Sequence, residues 1–285
     1  MWINDSWKDY SLIDCSDGER LERWGKYTLI RPDPQVIWKN SKNDARWNCA
    51  DASYKRSRSG GGAWSENALP ESWCISYRDL TFKIKPMGFK HTGLFPEQAT
   101  NWDWFSDLIK QAGRPIKVLN LFAYTGGATV AAAKAGASVC HVDASKGMVA
   151  AAKENAALSG LSDAPIRYIV DDCKKFVERE IRRGNFYDGI IMDPPSYGRG
   201  PNGEVWKIEE NVDDLVALVS RVLSKTPLFF LLNSYTTGLS PLTMQYICEN
   251  RIKPKFGGSA EAGELALKTE RGLLLPAGSS VRYTF

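Results

Sequence analysis

From about residue 102 onward, short apolar runs alternate with longer stretches whose apolar positions recur every three or four residues. The first kind predicts strands, at 118–123, 138–142, 166–170, 187–192 and 228–232. The second predicts helices, at 102–112, 128–135, 146–159, 174–183, 212–223 and 241–251. Gly136, Gly160 and Gly184 follow three of these helices, where a left-handed residue ends a helix at least steric cost. Strands and helices in alternation predict a mostly parallel sheet with crossover helices, an α/β Rossmann-like fold. The last stretch breaks the rhythm. Segments 265–269, 272–275 and 281–285 are strand-like with no helix between them, so the final strands are expected to be antiparallel.

The first hundred residues read differently. Short aromatic or β-branched runs at 27–30, 35–38, 73–77 and 80–84 are punctuated by Pro32, Pro34 and Pro70. A small β-rich N-terminal domain over 1–95 is therefore expected, followed by a second domain over 96–285. Nine of the ten tryptophans precede residue 105. They can serve as core packing or as a base-stacking surface.

Composition narrows the class without choosing a function. Hydrophobic residues are 43% and charged residues 25% of 285, which suits a globular protein with a real core. No apolar run reaches the ~18 residues of a membrane span, and the N-terminus has no secretory apolar region. Six scattered cysteines without a CxxC pair, and two histidines, give no metal-ligand spacing and suit a reducing cytoplasm. The net charge of +4 permits a nucleic-acid partner without requiring one. The basic stretch from Lys55 through Arg56 and Arg58 to Gly62 is either a solvated loop or a phosphate contact.

Candidate chemistry lies at the carboxyl ends of the predicted strands, where open α/β sheets bind ligands. Gly126-Gly127 forms a turn at which backbone can approach a ligand, and the next helix offers free N–H groups to an anion. The sequence Tyr124-Thr-Gly-Gly-Ala-Thr129 does not match the G-x-G-x-x-G of a pyrophosphate site, which argues against a dinucleotide. Asp143 ends the second strand and can accept two ribose hydroxyls. Asp172 is expected to meet the adenine amino group, with Asp171 turned to solvent. Asp193-Pro194-Pro195-Ser196-Tyr197 ends the fourth strand with a stiff segment unable to donate at either proline. Asp193, Pro194 and Tyr197 are the candidate catalytic residues, Tyr197 either stacking on a flipped base or packing under the next loop. Asn233 is expected to bind the acceptor or cap the following helix, and Trp206 to mark a loop on the acceptor side.

These pieces resemble the class I methyltransferases dependent on S-adenosylmethionine (SAM), specifically the ribosomal RNA large-subunit methyltransferase I type, which acts on cytosine C5. The likeness covers residues 88–240. It rests on Gly88-Phe-Lys-His-Thr-Gly-Leu-Phe-Pro-Glu-Gln98, Asn120-Leu-Phe-Ala-Tyr-Thr-Gly-Gly127, Val142-Asp-Ala-Ser145, Asp172 and Asp193-Pro-Pro-Ser-Tyr-Gly198. It implies SAM as cofactor and RNA as partner, with Phe95 and Gln98 lining the cofactor site. Phe122, Tyr124, Thr125, Ala144, Ser145 and Cys173 complete the expected cofactor contacts around Gly126, Gly127, Asp143, Asp172 and Asp193.

Two departures stand out. Full-length members carry an RNA-binding PUA domain ahead of a β-rich middle domain, and the residues before the motif here suffice for the middle domain alone. The family also keeps a nucleophilic Cys after the fifth strand, where this chain reads Leu232-Asn-Ser-Tyr-Thr236. Cytosine C5 chemistry needs that thiolate to activate the ring. Cys140 and Cys173, near strand ends, read as packed thiols. The acceptor therefore stays open among RNA, a protein and a small molecule, with a non-catalytic SAM- or RNA-binding module as a further reading.

Overall fold

The computed structural model describes residues 1–57, 61–65, 69–199 and 203–285, so Arg58 and Gly60 of the basic stretch lie outside the described residues. The chain divides into two compact units. One comprises Ile3–Ala99 with Ala266–Ala277, and the other Met1–Trp2, Thr100–Leu265 and Gly278–Phe285.

After a two-residue strand β1 (Trp2–Ile3), the smaller unit is built from antiparallel ribbons joined by one parallel pairing, β4 with β5. Strands β2 (Tyr10–Ser16), β3 (Glu19–Trp24), β4 (Tyr27–Pro32), β5 (Ala52–Arg56) and β6 (Gly62–Trp64) form one sheet in chain order. Strands β7 (Trp73–Tyr77) and β8 (Leu80–Ile84) form a separate hairpin. The expected strand at 35–38 is absent. That segment instead lends carbonyls to the turn after β2, Val36 to the Gly18 N–H and Trp38 to the Asp17 N–H, both at 2.8 Å. Trp24, Trp7 and Trp47 are buried, and no tryptophan of the chain is fully exposed. The buried ones serve as core packing. A buried pair, Arg31 Nε to Glu22 Oε2 at 2.6 Å, is completed by the Tyr10 hydroxyl donating to Glu22 at 2.8 Å.

The larger unit begins with α1 (Ala99–Gln111) and continues β9 (Lys117–Leu121), α2 (Gly127–Lys134), β10 (Ser138–Asp143), α3 (Lys146–Leu158), β11 (Ile166–Val170), α4 (Cys173–Arg183) and β12 (Gly189–Met192). A hairpin of β13 (Tyr197–Arg199) and β14 (Val205–Lys207) precedes α5 (Ile208–Val219), β15 (Phe229–Ser234), α6 (Pro241–Phe256), β16 (Ser259–Lys268) and β17 (Leu274–Thr284). The main sheet runs β1-β16-β17-β15-β12-β9-β10-β11. Pairings among β15, β12, β9, β10 and β11 are parallel, and β17 joins β15 antiparallel. This is the α/β Rossmann-like sheet with an antiparallel edge that the alternation of elements predicts. Successive strands step outward from β9 through β10 to β11, then return to β12 on the other side of β9. That reversal is a topological switch point, the usual place for a ligand in such sheets.

Three boundaries move. Trp206, expected in a loop, lies in β14, half-buried, and its indole N–H donates to the Pro195 carbonyl at 2.6 Å. Helix α5 starts four residues before the predicted 212, because Ile208 is fully buried and already belongs to the core stripe. The predicted short terminal strands become two long ones. Glu261, Gly263 and Glu264 have low strand propensity, and pairing in the sheet overrides it.

Candidate functional site

The carboxyl ends of β9, β10, β11 and β12 lie side by side, held by backbone bonds beyond the strands themselves. The Ala123 N–H donates to the Val142 carbonyl at 3.1 Å and the Asp171 N–H to the Asp143 carbonyl at 3.1 Å. The Asp193 N–H reaches the Leu121 carbonyl at 3.5 Å. Gly126, Asp143, Asp172 and Asp193 thus follow adjacent strand ends on one edge of one sheet.

The loop after β9 is the most contorted backbone of the unit. Phe122 and Tyr124 take φ of 56° and 50°, and Gly126 takes 83°. Left-handed aromatic residues are uncommon and persist where surroundings over-determine them, often at binding sites. Side chains of β10 and α3 help to hold this loop. The Tyr124 N–H donates to Asp143 Oδ2 at 2.8 Å, and the Asn155 side chain of α3 donates to the Thr125 carbonyl at 2.8 Å. Asn155 was not legible as a site residue, although a polar side chain on an alanine-lined buried stripe was its signal.

The two glycines have a reason different from ligand approach. An ideal Cβ at Gly126 would lie 2.7 Å from the Ala152 Cβ, and one at Gly127 would lie 2.7 Å from the Trp102 ring. They let α3 and α1 pack against the turn.

Asp143 is half-buried, and each carboxylate oxygen accepts one backbone N–H, Oδ2 from Tyr124 and Oδ1 from Ser145 at 2.8 Å. A carboxylate offers about four acceptor sites, so both oxygens retain capacity for a diol. Ala144 and Ser145 are exposed, and Ser145 caps α3 through the Met148 N–H. The Asp171 expectation reverses. Asp171 is half-buried and paired with Arg179 of α4, whereas Asp172 is the exposed N-cap of α4, its Oδ1 accepting from the Lys175 N–H at 2.8 Å. Asp172 still stands at the ligand edge with its second oxygen unassigned. Cys173 is 3% exposed, its sulfur accepting from the Phe122 N–H at 3.2 Å, and burial pushes its thiol up to about 12. Its side chain braces the loop from inside. Phe95 (half-buried) and Gln98 (buried) belong to the smaller unit, around the short 3-10 turn Pro96–Gln98.

Beneath the Gly126 turn runs a buried polar chain that sequence reading missed. Asn120 donates to Thr129 Oγ1 at 2.9 Å, and Thr129 Oγ1 lies 2.9 Å from His141 Nδ1. With the threonine proton given to Nδ1, the imidazole proton sits on Nε2, which has no partner. A histidine inside an otherwise apolar strand was the available signal. Burial holds its pKa down at about 4. A folded pKa below the unfolded ~6.5 means that only the unfolded chain takes up this proton between those values. The resulting stability is present above pH ~6.5 and falls by about 3 kcal/mol by pH 4. His141→Gln is expected to lose less stability than the wild type between pH 7 and 4.5 in urea titrations. Equal losses would count against this role.

On the acceptor side, Asp193 is half-buried, Pro194 buried, and Tyr197 51% exposed, accepting from Arg199 Nε at 2.9 Å. Tyr197 is therefore not packed beneath a loop. Asn233 neither caps α6 nor faces solvent. It is 3% exposed and accepts from Ser280 at 2.7 Å and from Asn101 at 3.3 Å, while Ser240 caps α6.

The donor set suits SAM: spare acceptor capacity at Asp143 that a ribose diol would use, an exposed carboxylate at Asp172 that could accept from an adenine amine, and a helix N-terminus after a positive-φ glycine that would suit a carboxylate. Among the described residues no cluster of metal-ligating side chains occurs.

Comparison with known proteins agrees. Residues 20–212 match the family described as S-adenosylmethionine-dependent methyltransferase. The crystal structure of a SAM-dependent methyltransferase from Agrobacterium tumefaciens is 37% identical, with a TM-score of 0.92 over 100% of this chain and 93% of that one. A Streptococcus mutans chain superposes with a TM-score of 0.74 at 19% identity, covering 99% of this chain and 76% of that one, a likeness of fold. The ribosomal RNA large subunit methyltransferase K/L of Shewanella baltica is 35% identical over 147 residues, 51% of this chain and 20% of that protein. Its Shewanella frigidimarina counterpart is 35% identical over 145 residues, 50% of this chain and 20% of the relative. The chain matches about a fifth of the length of these curated relatives. With a family match over residues 20–212 and a 37% identical solved relative covered over 93% of its length, this chain belongs to the S-adenosylmethionine-dependent methyltransferases.

Proposed function

We propose that the protein transfers a methyl group from SAM to a nitrogen of a base in RNA. The observation that carries the choice of atom is the state of the thiols. All three cysteines of the larger unit, Cys140, Cys173 and Cys248, are buried, and burial raises each thiol, Cys140 to about 11. None of the three is placed to add to a pyrimidine ring, and the exposed Cys49 and Cys74 belong to the smaller unit, so the larger unit lacks the nucleophile of the cytosine C5 route implied by the sequence resemblance. Nitrogen carries its own lone pair and needs only orientation. The relatives named as ribosomal RNA methyltransferases support RNA as the acceptor.

Bound SAM supplies an electrophilic methyl on a sulfonium, a good leaving group. Asp143 holds the ribose, Asp172 the adenine edge, and the N-terminus of α2 the carboxylate. Asp193 and the carbonyl of Pro194 would accept from the acceptor amine and fix its lone pair in line with the methyl, and as the nitrogen–methyl bond forms and the sulfur–methyl bond breaks the surplus amine proton would pass to the Asp193 carboxylate. Exposed Tyr197 stacks on the base. Phe95 and Gln98 are proposed to contact the cofactor, and the β-rich N-terminal domain to take part in substrate recognition.

No described helix is long and apolar enough to cross a membrane. A cytoplasmic location is proposed with the RNA substrate. Incubation with SAM tritiated on its methyl, against separated RNA, protein and small-molecule fractions, tests the acceptor. Label is expected in RNA and, after digestion, in an N-methylated nucleoside. Label confined to protein or small molecules would overturn the RNA assignment, and 5-methylcytidine would overturn the nitrogen assignment.

A further inference from the structure

We propose that a relay of hydrogen bonds, in which Ser234 fixes the Thr236 backbone and the Thr236 hydroxyl holds Ser196, positions the Asp193-Pro-Pro-Ser loop for methyl transfer, so that the segment after β15 serves as a brace and not as a source of a nucleophile. This rests on the reading of that loop as the acceptor site. Ser234 is 1% exposed, and its Oγ accepts from the Thr236 N–H at 3.1 Å, which fixes the turn that follows β15. Thr236 then donates its hydroxyl to Ser196 Oγ at 2.6 Å. Forty residues separate the two hydroxyls along the chain. Each end is anchored to the core. The Ser196 carbonyl accepts from the N–H of Ile208, a fully buried residue, at 3.1 Å. The Thr236 carbonyl accepts from the N–H of Leu239, 5% exposed, at 3.2 Å.

The loop is held from two separate segments of the chain. Trp206 takes the Pro195 carbonyl from the β13–β14 hairpin, and Thr236 takes the adjacent Ser196 hydroxyl from the loop after β15. Pro194 and Pro195 carry no N–H, so the loop cannot fasten itself by backbone donors at those positions. External groups must fasten it. A carboxylate that aligns an amine with a methyl must hold its place to a fraction of an ångström, and small displacements are costly in rate. Ser196 and Thr236 are positioning residues in this scheme, acting through Asp193.

Thr236→Val keeps the shape and removes the donor, whereas Thr236→Ser keeps the hydroxyl. In wild-type background, Thr236→Val is expected to lower kcat about five- to tenfold, with the Kd for SAM within about twofold. Thr236→Ser is expected to restore kcat to within about twofold. Ser196→Ala is expected to match Thr236→Val, and the double variant to lose no more than either single one, because both remove the same bond. Hydrogen exchange with SAM present gives a readout that needs no acceptor. Peptides covering 193–199 are expected to exchange about five- to tenfold faster in Thr236→Val, with the rest of the larger unit unchanged. Unchanged exchange in that segment, or losses that multiply in the double variant, would overturn the relay. Absence of methyl transfer by the wild type to any fraction would instead count against the proposed function.

Discussion

Asp143→Ala is expected to raise the Kd for SAM by about a hundredfold or more in calorimetric titration. Two effects add. A ribose diol loses an ionised acceptor for both hydroxyls, and hydrogen bonds to charged groups contribute roughly 1.5–3 kcal/mol each. The same substitution frees the Tyr124 and Ser145 N–H groups, which Asp143 accepts at 2.8 Å each. Tyr124 stands in left-handed backbone with φ of 50°, so losing that tether lets the loop relax away from the geometry the cofactor needs. Asp143→Asn separates the two effects. Its one carbonyl oxygen can keep a backbone tether while the charge is gone, so an intermediate loss is expected. Affinity within about threefold of wild type for Asp143→Ala would remove the adenosyl group from this edge of the sheet.

Gly126→Ala is expected to destabilise the larger unit by roughly 2–5 kcal/mol and to abolish measurable SAM binding. The backbone contribution comes from φ of 83°, a conformation costing an L-residue roughly 1–2 kcal/mol. The steric contribution comes from the 2.7 Å approach of the new methyl to the Ala152 Cβ, where one side or the other must move. The pair Gly126→Ala with Ala152→Gly tests the division. It opens the space but leaves the φ cost and adds a helix-interior glycine worth about 1 kcal/mol, so partial recovery at best is expected. Thermal melting with and without SAM reads both quantities. Gly126→Ala melting within about 2 °C of wild type would show that the turn yields more easily than its contacts imply.

Much of this arrangement is local and so was legible. Asp143 and Asp193 each end an apolar run, and a carboxylate that ends a buried parallel strand must emerge at the ligand edge. The break in helix–strand alternation near the C-terminus announced the antiparallel edge. What stayed hidden depends on partners remote in sequence. The expectation that Asp171 turns to solvent failed because that outcome belongs to Arg179 on α4, which draws Asp171 inward. The glycine pair was legible as a turn, yet its necessity comes from Trp102 and Ala152, on two other helices. Asn233 looked available for an acceptor until Ser280 and Asn101 enclosed it.

The amino-acid sequence by itself determined the parallel α/β sheet and the edge toward which its acidic residues run, since both follow from spacing along single elements, while SAM as the cofactor came from the family resemblance of its motifs. Tertiary structure alone decided which carboxylate is paired, why the turn must be glycine, and that Thr236 meets Ser196. Those outcomes are set by burial and by contacts between segments far apart in the chain, and no local pattern encodes the distance between them.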